Sequence, residues 1–84
     1  MKMLMFGIYD EKSLSYGTPF FQPQIGQAMR AFGDLAKDPQ SAIAKHPEDY
    51  SLYHLGEYDD HTGKVLTYDV NYLLQRATEG LTVS

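Results

Sequence analysis

The side chains able to do chemistry are scattered through this chain of 84 residues. His46, His54 and His61 stand far apart, and a zinc site needs three or four converging ligands, so no metal is expected. His61 lies beside Asp59 and Asp60, but in a stretch of turn formers where solvated loop residues are the expectation. That stretch, Asp59-Asp60-His61-Thr62-Gly63, departs from calcium-loop spacing: its glycine comes fifth and no glutamate closes it. Glu48-Asp49 offers paired carboxylates with no base or nucleophile placed beside them, so both are expected to cap a loop. Ser13, Ser15, Ser41, Ser51 and Ser84 lack a nucleophile-elbow context, and Gly26 and Gly33 are too far apart for a phosphate-binding loop. The chain is expected to be no enzyme and to need no cofactor.

Two constellations point to binding instead. At about 100° per residue on a helix, Gly26, Arg30, Gly33 and Lys37 fall within a sector of about 60°, away from the apolar stripe. The glycines let another backbone approach, and the cations can hold a phosphate or a carboxylate. This is a candidate docking face for protein or nucleic acid; the alternative is an ordinary flank of poor helix formers. The second constellation is an irregular arm in which Lys12 precedes Tyr16, Phe20 and Phe21. Aromatic and basic residues so interleaved can stack on single-stranded bases. Alternatively Phe20 and Phe21 cover the core edge beneath the helix, and at least one of them is expected to do so.

Length allows one α+β domain over residues 1–84. With no cysteine there is neither a disulfide nor a thiolate zinc site to staple it. No apolar run approaches the roughly 20 residues that span a bilayer, and the N-terminal run reads as a strand rather than a signal peptide. The net charge of −4 lacks the basic excess of a protein that grips nucleic acid through its overall field. Sequence-independent DNA contact must come from a local basic cluster, from stacking, or from an assembly that concentrates such patches.

Residues 3–9 form a nearly continuous apolar run, expected as a central strand. Residues 14–21 are expected as an edge strand or extended arm, broken by Gly17 and Pro19. A helix is expected to open around Gln22-Pro23-Gln24 and end at Asp38-Pro39, with Ile25, Ala28, Met29, Phe32, Leu35 and Ala36 as its stripe. Residues 40–47 suggest a short helical turn. The alternation from Tyr50 to Tyr58 predicts a strand with Tyr50, Leu52, His54 and Tyr58 on one side and Tyr53 and Leu55 on the other. Gly56 suggests a bulge. A hairpin loop over 59–63 returns into a strand over 64–68. Asp69 or Asn71 can cap a short C-terminal helix over 71–79, ended by Gly80, with 81–84 a loose tail. The expected architecture is a small, mainly antiparallel sheet of three to four strands with one long helix on one face.

One segment is more specific: His46-Pro47-Glu48-Asp49-Tyr50-Ser51-Leu52-Tyr53-His54-Leu55-Gly56-Glu57-Tyr58-Asp59, closed by Thr62-Gly63. Together with Tyr9-Asp10-Glu11-Lys12, Pro19-Phe20, Ala28-Met29-Arg30-Ala31-Phe32 and Asp38-Pro39, it closely resembles the small nonstructural protein of gokushoviruses, single-stranded DNA bacteriophages of the microvirus family. The resemblance runs from about residue 4 to residue 68. It implies a non-enzymatic, DNA-binding protein in the cytoplasm of the infected bacterium. Its implied role is in phage DNA replication, at the switch from duplex synthesis to single-stranded genome synthesis and packaging.

The joint expectation is a protein that binds DNA, single-stranded, as a homo-oligomer. Lys12, Arg30 and Lys37 would meet phosphates, Tyr16 and Phe21 would stack, and Gly26 and Gly33 would line a docking face. The rival is a protein-interaction module that docks on a viral replication or capsid component or on a host protein; the net charge favours it. Self-association is expected from a thin core, an apolar first strand and a free sheet edge.

Overall fold

A computed structural model describes residues 1–78. The apolar run at the start forms β1 (Lys2–Asp10) and lies in the middle of the sheet. After the turn at 11–14 the chain doubles back along one edge of β1 as two short pieces, β2 (Ser15–Tyr16) and β3 (Phe20–Gln22). Gly17 and Pro19 account for the break, since Pro19 cannot donate a ladder hydrogen bond. Leu14, at the turn tip, has φ +56. Along the other edge of β1 runs β4 (Tyr50–Asp59), and beyond it β5 (Lys64–Arg76). Every pairing is antiparallel.

Between β3 and β4 lie the helices. The long one, α1 (Ile25–Lys37), has Gln24 as an extended N-cap, one residue after Pro23. It stops at Asp38, before Pro39, as expected. A shorter helix, α2 (Ala42–Lys45), is capped by the Ser41 hydroxyl, which accepts from the Ile43 amide at 3.0 Å. A short 3-10 turn, Pro47–Asp49, leads into β4. Among the described residues no helix is long and apolar enough to cross a membrane.

The core lies between α1 and one face of the sheet. Ala28, Phe32 and Ala36 pack with Phe6, Leu52, Ile43 and Ala77, and Leu4, Ile8, Phe20 and Met29 close the sides. Ile25 and Leu35, at the ends of the expected stripe, remain about 40% exposed, so the buried stripe is narrower than the sequence suggests. The α+β fold, antiparallel sheet and single long helix are as expected.

Two expectations are corrected. Residues 71–76 are strand, not helix. Gln75 and Arg76 stand opposite Leu52 and Ser51, and Tyr72 opposite His54. The first half of β4 needs a partner on that side, and long-range pairing outweighs a local cap and helical spacing. The short second helix is instead Ala42–Lys45. Among the described residues of that span, Ala77 and Thr78 have helical geometry; the rest of the expected helix, its stop at Gly80 and the tail at 81–84 lie outside the described residues. Tyr58 also changes sides. β1 pairs His54 with Phe6 but Gly56 with Met5, so Leu55 is an extra residue. This is the bulge expected at Gly56, and it reverses the alternation beyond it. Tyr58 therefore shares a face with Met3 and Tyr53, opposite Tyr50, Leu52 and His54.

Gly56 has a physical reason. A Cβ there would lie 2.1 Å from the Leu66 carbonyl oxygen, so the backbones of β4 and β5 touch where a side chain would stand. Gly26 and Gly33 differ, because a Cβ at either meets nothing within 4 Å. Denaturant melts should separate the two cases. Gly33→Ala is expected to gain about 0.5–1 kcal/mol from helix propensity. Gly56→Ala is expected to lose about 1–3 kcal/mol through overpacking.

Candidate nucleic-acid interface

The strand parity of β1 sorts the side chains. Leu4, Phe6 and Ile8 point toward α1 and the core. Met3, Met5, Gly7 and Tyr9 therefore point to the opposite face, which α1 does not cover. Tyr9 pairs with Tyr16 across one edge, and Gly7 with Tyr53 across the other. The three tyrosine rings form one cluster, with centroids 4.8 Å apart for Tyr9–Tyr16, 5.6 Å for Tyr16–Tyr53 and 6.1 Å for Tyr9–Tyr53. Further along the same face Phe21, opposite Met5, meets Tyr58 at 5.8 Å.

Gly7 makes room for this layer. A Cβ at Gly7 would come within 2.8 Å of Leu55 Cδ1 and 3.4 Å of Tyr16 Cδ2, so both side chains lie over bare backbone. Tyr16 and Phe21 keep about 40% of their surface exposed. The face is thus an aromatic layer with accessible ring surface, and ring faces are what unpaired bases stack on. The Asn71 amide donates to the Tyr16 hydroxyl at 2.9 Å, tying β5 to the far edge across this face.

The five expected nucleic-acid contacts fall into two groups. Tyr16 and Phe21 share the open face, with exposed Lys12 in the turn just before Tyr16. Arg30 and Lys37 are exposed on α1, on the other side of the sheet, beside Gly26 and Gly33. No backbone among the described residues approaches either glycine. Phe20 and Phe21 divide between the two roles weighed for them: Phe20 stacks on Phe6 in the core at 5.7 Å, while Phe21 turns outward.

A polar chain on the helix side went unnoticed in the sequence. His54 is buried, stacked on Phe6 at 5.1 Å and edge-on to Tyr68 at 4.9 Å. The Tyr68 hydroxyl donates to Glu57 Oε2 at 2.9 Å and lies 3.4 Å from His54 Nε2. With its one proton directed to Glu57, the phenol oxygen is left to accept from His54. Glu57 also meets the Lys2 ammonium at 3.6 Å. His54 and Glu57, three apart, share a face only because of the bulge between them. The bulge signal at Gly56 was the clue available in the sequence.

His46, Glu48 and Asp49 bring ligand atoms within 4.8 Å of one another at the entrance to β4, in a cluster open to solvent. Near the hairpin, Asp59 Oδ1 accepts from the His61 amide at 2.9 Å, and Asp60 pairs with the N-terminal ammonium at 2.7 Å. These side chains serve the turn and its junction with β1, as the loop composition suggests.

The match to known proteins covers most of the chain. Residues 3–80 match the family model described as Phage ORF5 protein. The relative named Protein ORF5, from Chlamydia phage 1, is 32% identical over 73 residues, covering 82% of this chain and 76% of the relative. No solved structure matches the chain significantly.

Two phenols here titrate above the ordinary value of 10.0. Tyr68 is raised by desolvation first, then by its hydrogen bond and proximity to Glu57; Tyr50 is raised by desolvation, then by Asp10 and Asp49. A folded-state pKa above the unfolded one stabilises fully below the unfolded value, and that stabilisation is lost as pH rises through the folded one. Stability should therefore be flat with respect to these groups up to about pH 10 and fall above it. Tyr68→Phe should weaken the fall in melts from pH 9 to 12, at a cost near neutrality of about 1–3 kcal/mol from the partners left unpaired. An unchanged alkaline slope would remove Tyr68 as its source.

Proposed function

The chain belongs to the Phage ORF5 protein family, and from that premise we propose that it is a non-enzymatic, nonstructural phage protein that binds single-stranded DNA as an oligomer. It would act during phage genome replication, at the switch to single-stranded DNA synthesis and packaging. The observation that carries this reading is the open aromatic face of the sheet, with Tyr16 and Phe21 exposed on it.

The physics of an acidic chain favours this mode. Each added base that stacks contributes about 1–3 kcal/mol without requiring a basic protein. Lys12, exposed in the turn just before Tyr16, can meet a phosphate locally while the total charge stays at −4. Arg30 and Lys37 then form a separate basic patch that a strand confined to the open face does not reach.

The rival reading, a protein-interaction module, has its own observation. Along β5, Val65, Leu66, Val70, Tyr72 and Leu73 are exposed, an unusual apolar load for one strand of a small protein. A protein partner retained after nuclease treatment would favour it.

Fluorescence anisotropy of a short labelled single strand, with a duplex of the same sequence, separates the surfaces. Tyr16→Ala and Phe21→Ala should each weaken single-strand binding about fivefold or more. Arg30→Glu should leave the affinity of an oligonucleotide short enough for one face within about twofold, since no phosphate it could lose is within its reach. A loss at Arg30 with none at Tyr16 or Phe21 would move the contact to the helix, and binding of neither DNA form would remove the proposal.

A further inference from the structure

The two ends of β1 carry unlike features. At its C-terminal end the turn to β2 lifts Leu14 into solvent, 75% exposed and at φ +56. A bulky side chain rarely occupies this backbone region, which suits glycine or asparagine, and strain held at an exposed position points to use. Glu11 and Lys12 precede it in the same turn, one charge of each sign, both exposed.

At the N-terminal end, where β1 starts beside the β4–β5 hairpin, lies a cleft of about 300 Å³. Leu66, on the same face as Glu57, supplies its apolar side chain, and Lys2, Lys64, Glu57 and Asp59 surround it. Its rim therefore also carries both signs. Glu57 already meets the Lys2 ammonium at 3.6 Å and the Tyr68 hydroxyl at 2.9 Å, so Asp59 and Lys64 are the rim charges that a second chain would meet. A strand as long as β1 sets tip and cleft about 30 Å apart, so a chain does not fill its own cleft.

We propose that copies of this chain assemble head to tail, Leu14 of one seated on Leu66 of the next, with Lys12 against Asp59 and Glu11 against Lys64. The tip is a single apolar side chain with one charge of each sign just before it in the turn, and the cleft is an apolar side chain, Leu66, with charges of both signs around it. The contact thus joins two chains of net charge −4 through locally matched pairs. Because unlike surfaces meet, the assembly is heterologous and closes as a ring or grows as a filament. Edge-to-edge pairing of two β5 strands is the competing arrangement. It is hindered by the break in register between His54 and Gly56, where residues 68–71 leave the β4 ladder. The proposal does not depend on DNA binding.

Sedimentation of the full chain, alone and in mixtures, decides it. The wild type should form species larger than a dimer at high micromolar concentration. Leu14→Asp, which spoils the tip, and Leu66→Asp, which spoils the cleft, should each sediment as monomers. Mixed, the two variants should form a 1:1 dimer and nothing larger, because one retains the cleft and the other the tip. Leu14→Asn, which suits the left-handed backbone, should melt higher than wild type yet lose self-association at least tenfold, showing that lost assembly is not lost folding. A monomeric wild type, an associating single variant, failure of the folded variants to pair, or wild-type association by Leu14→Asn would each overturn the proposal.

Discussion

A sheet has two faces, and this chain has one long helix with which to cover them. α1 closes the side that holds Phe6 and Leu52. The other side must be dressed by the sheet's own residues, and the dressing is aromatic: Tyr9, Tyr16 and Tyr53 around bare Gly7, then Phe21 and Tyr58 past Met5. Tyrosine suits such a position because its ring packs on neighbours while its hydroxyl stays wet. The same property suits the layer to the binding proposed for it. A face built from apolar aliphatic side chains would need a protein or helix to cover it, whereas exposed rings can also take bases.

The bulge at Leu55 and the contact at Gly56 set what lies on each face. They turn Tyr58 to the aromatic side and bring Glu57 to the helix side, where it accepts a hydrogen bond from the Tyr68 hydroxyl beside His54. That hydrogen-bonded group anchors β5 just where its register with β4 is broken. Asn71 reaches the opposite face to hold Tyr16. The irregular middle of β5 is thus pinned from both sides of the sheet, and the pin on one side orders the exposed ring of the candidate interface.

Much of this was legible in the sequence because it rests on local chemistry. The apolar run of β1, the Pro19 break, the stop before Pro39, the hairpin at 60–63 and the glycine at the bulge all follow from backbone rules that act within a few residues. The failures arose where distant pairing decides. Asn71, Tyr72, Leu73 and Ala77 fit a capped helix equally well on paper, but β4 needs a partner beyond its bulge and takes that stretch as strand. The candidate site was half visible for the same reason. The types of Tyr16, Phe21, Arg30 and Lys37 suggest a nucleic-acid contact, while their faces depend on two pairings of β1 and on the side that α1 occupies. One extra residue in β4 was enough to move Tyr58 across the sheet.

In the proposed mode of binding, the open face recognises bases rather than phosphates. With no tryptophan in the chain, tyrosine dominates its emission, and four of the seven tyrosines, Tyr9, Tyr16, Tyr53 and Tyr58, belong to that layer. Intrinsic tyrosine fluorescence should be titrated with a short oligothymidylate and with an abasic oligonucleotide of equal length and charge. Stacking on Tyr16 and its neighbours predicts saturable quenching by the oligothymidylate and none by the abasic strand at the same concentrations. Equal binding of the two strands, or no response to either, would contradict it.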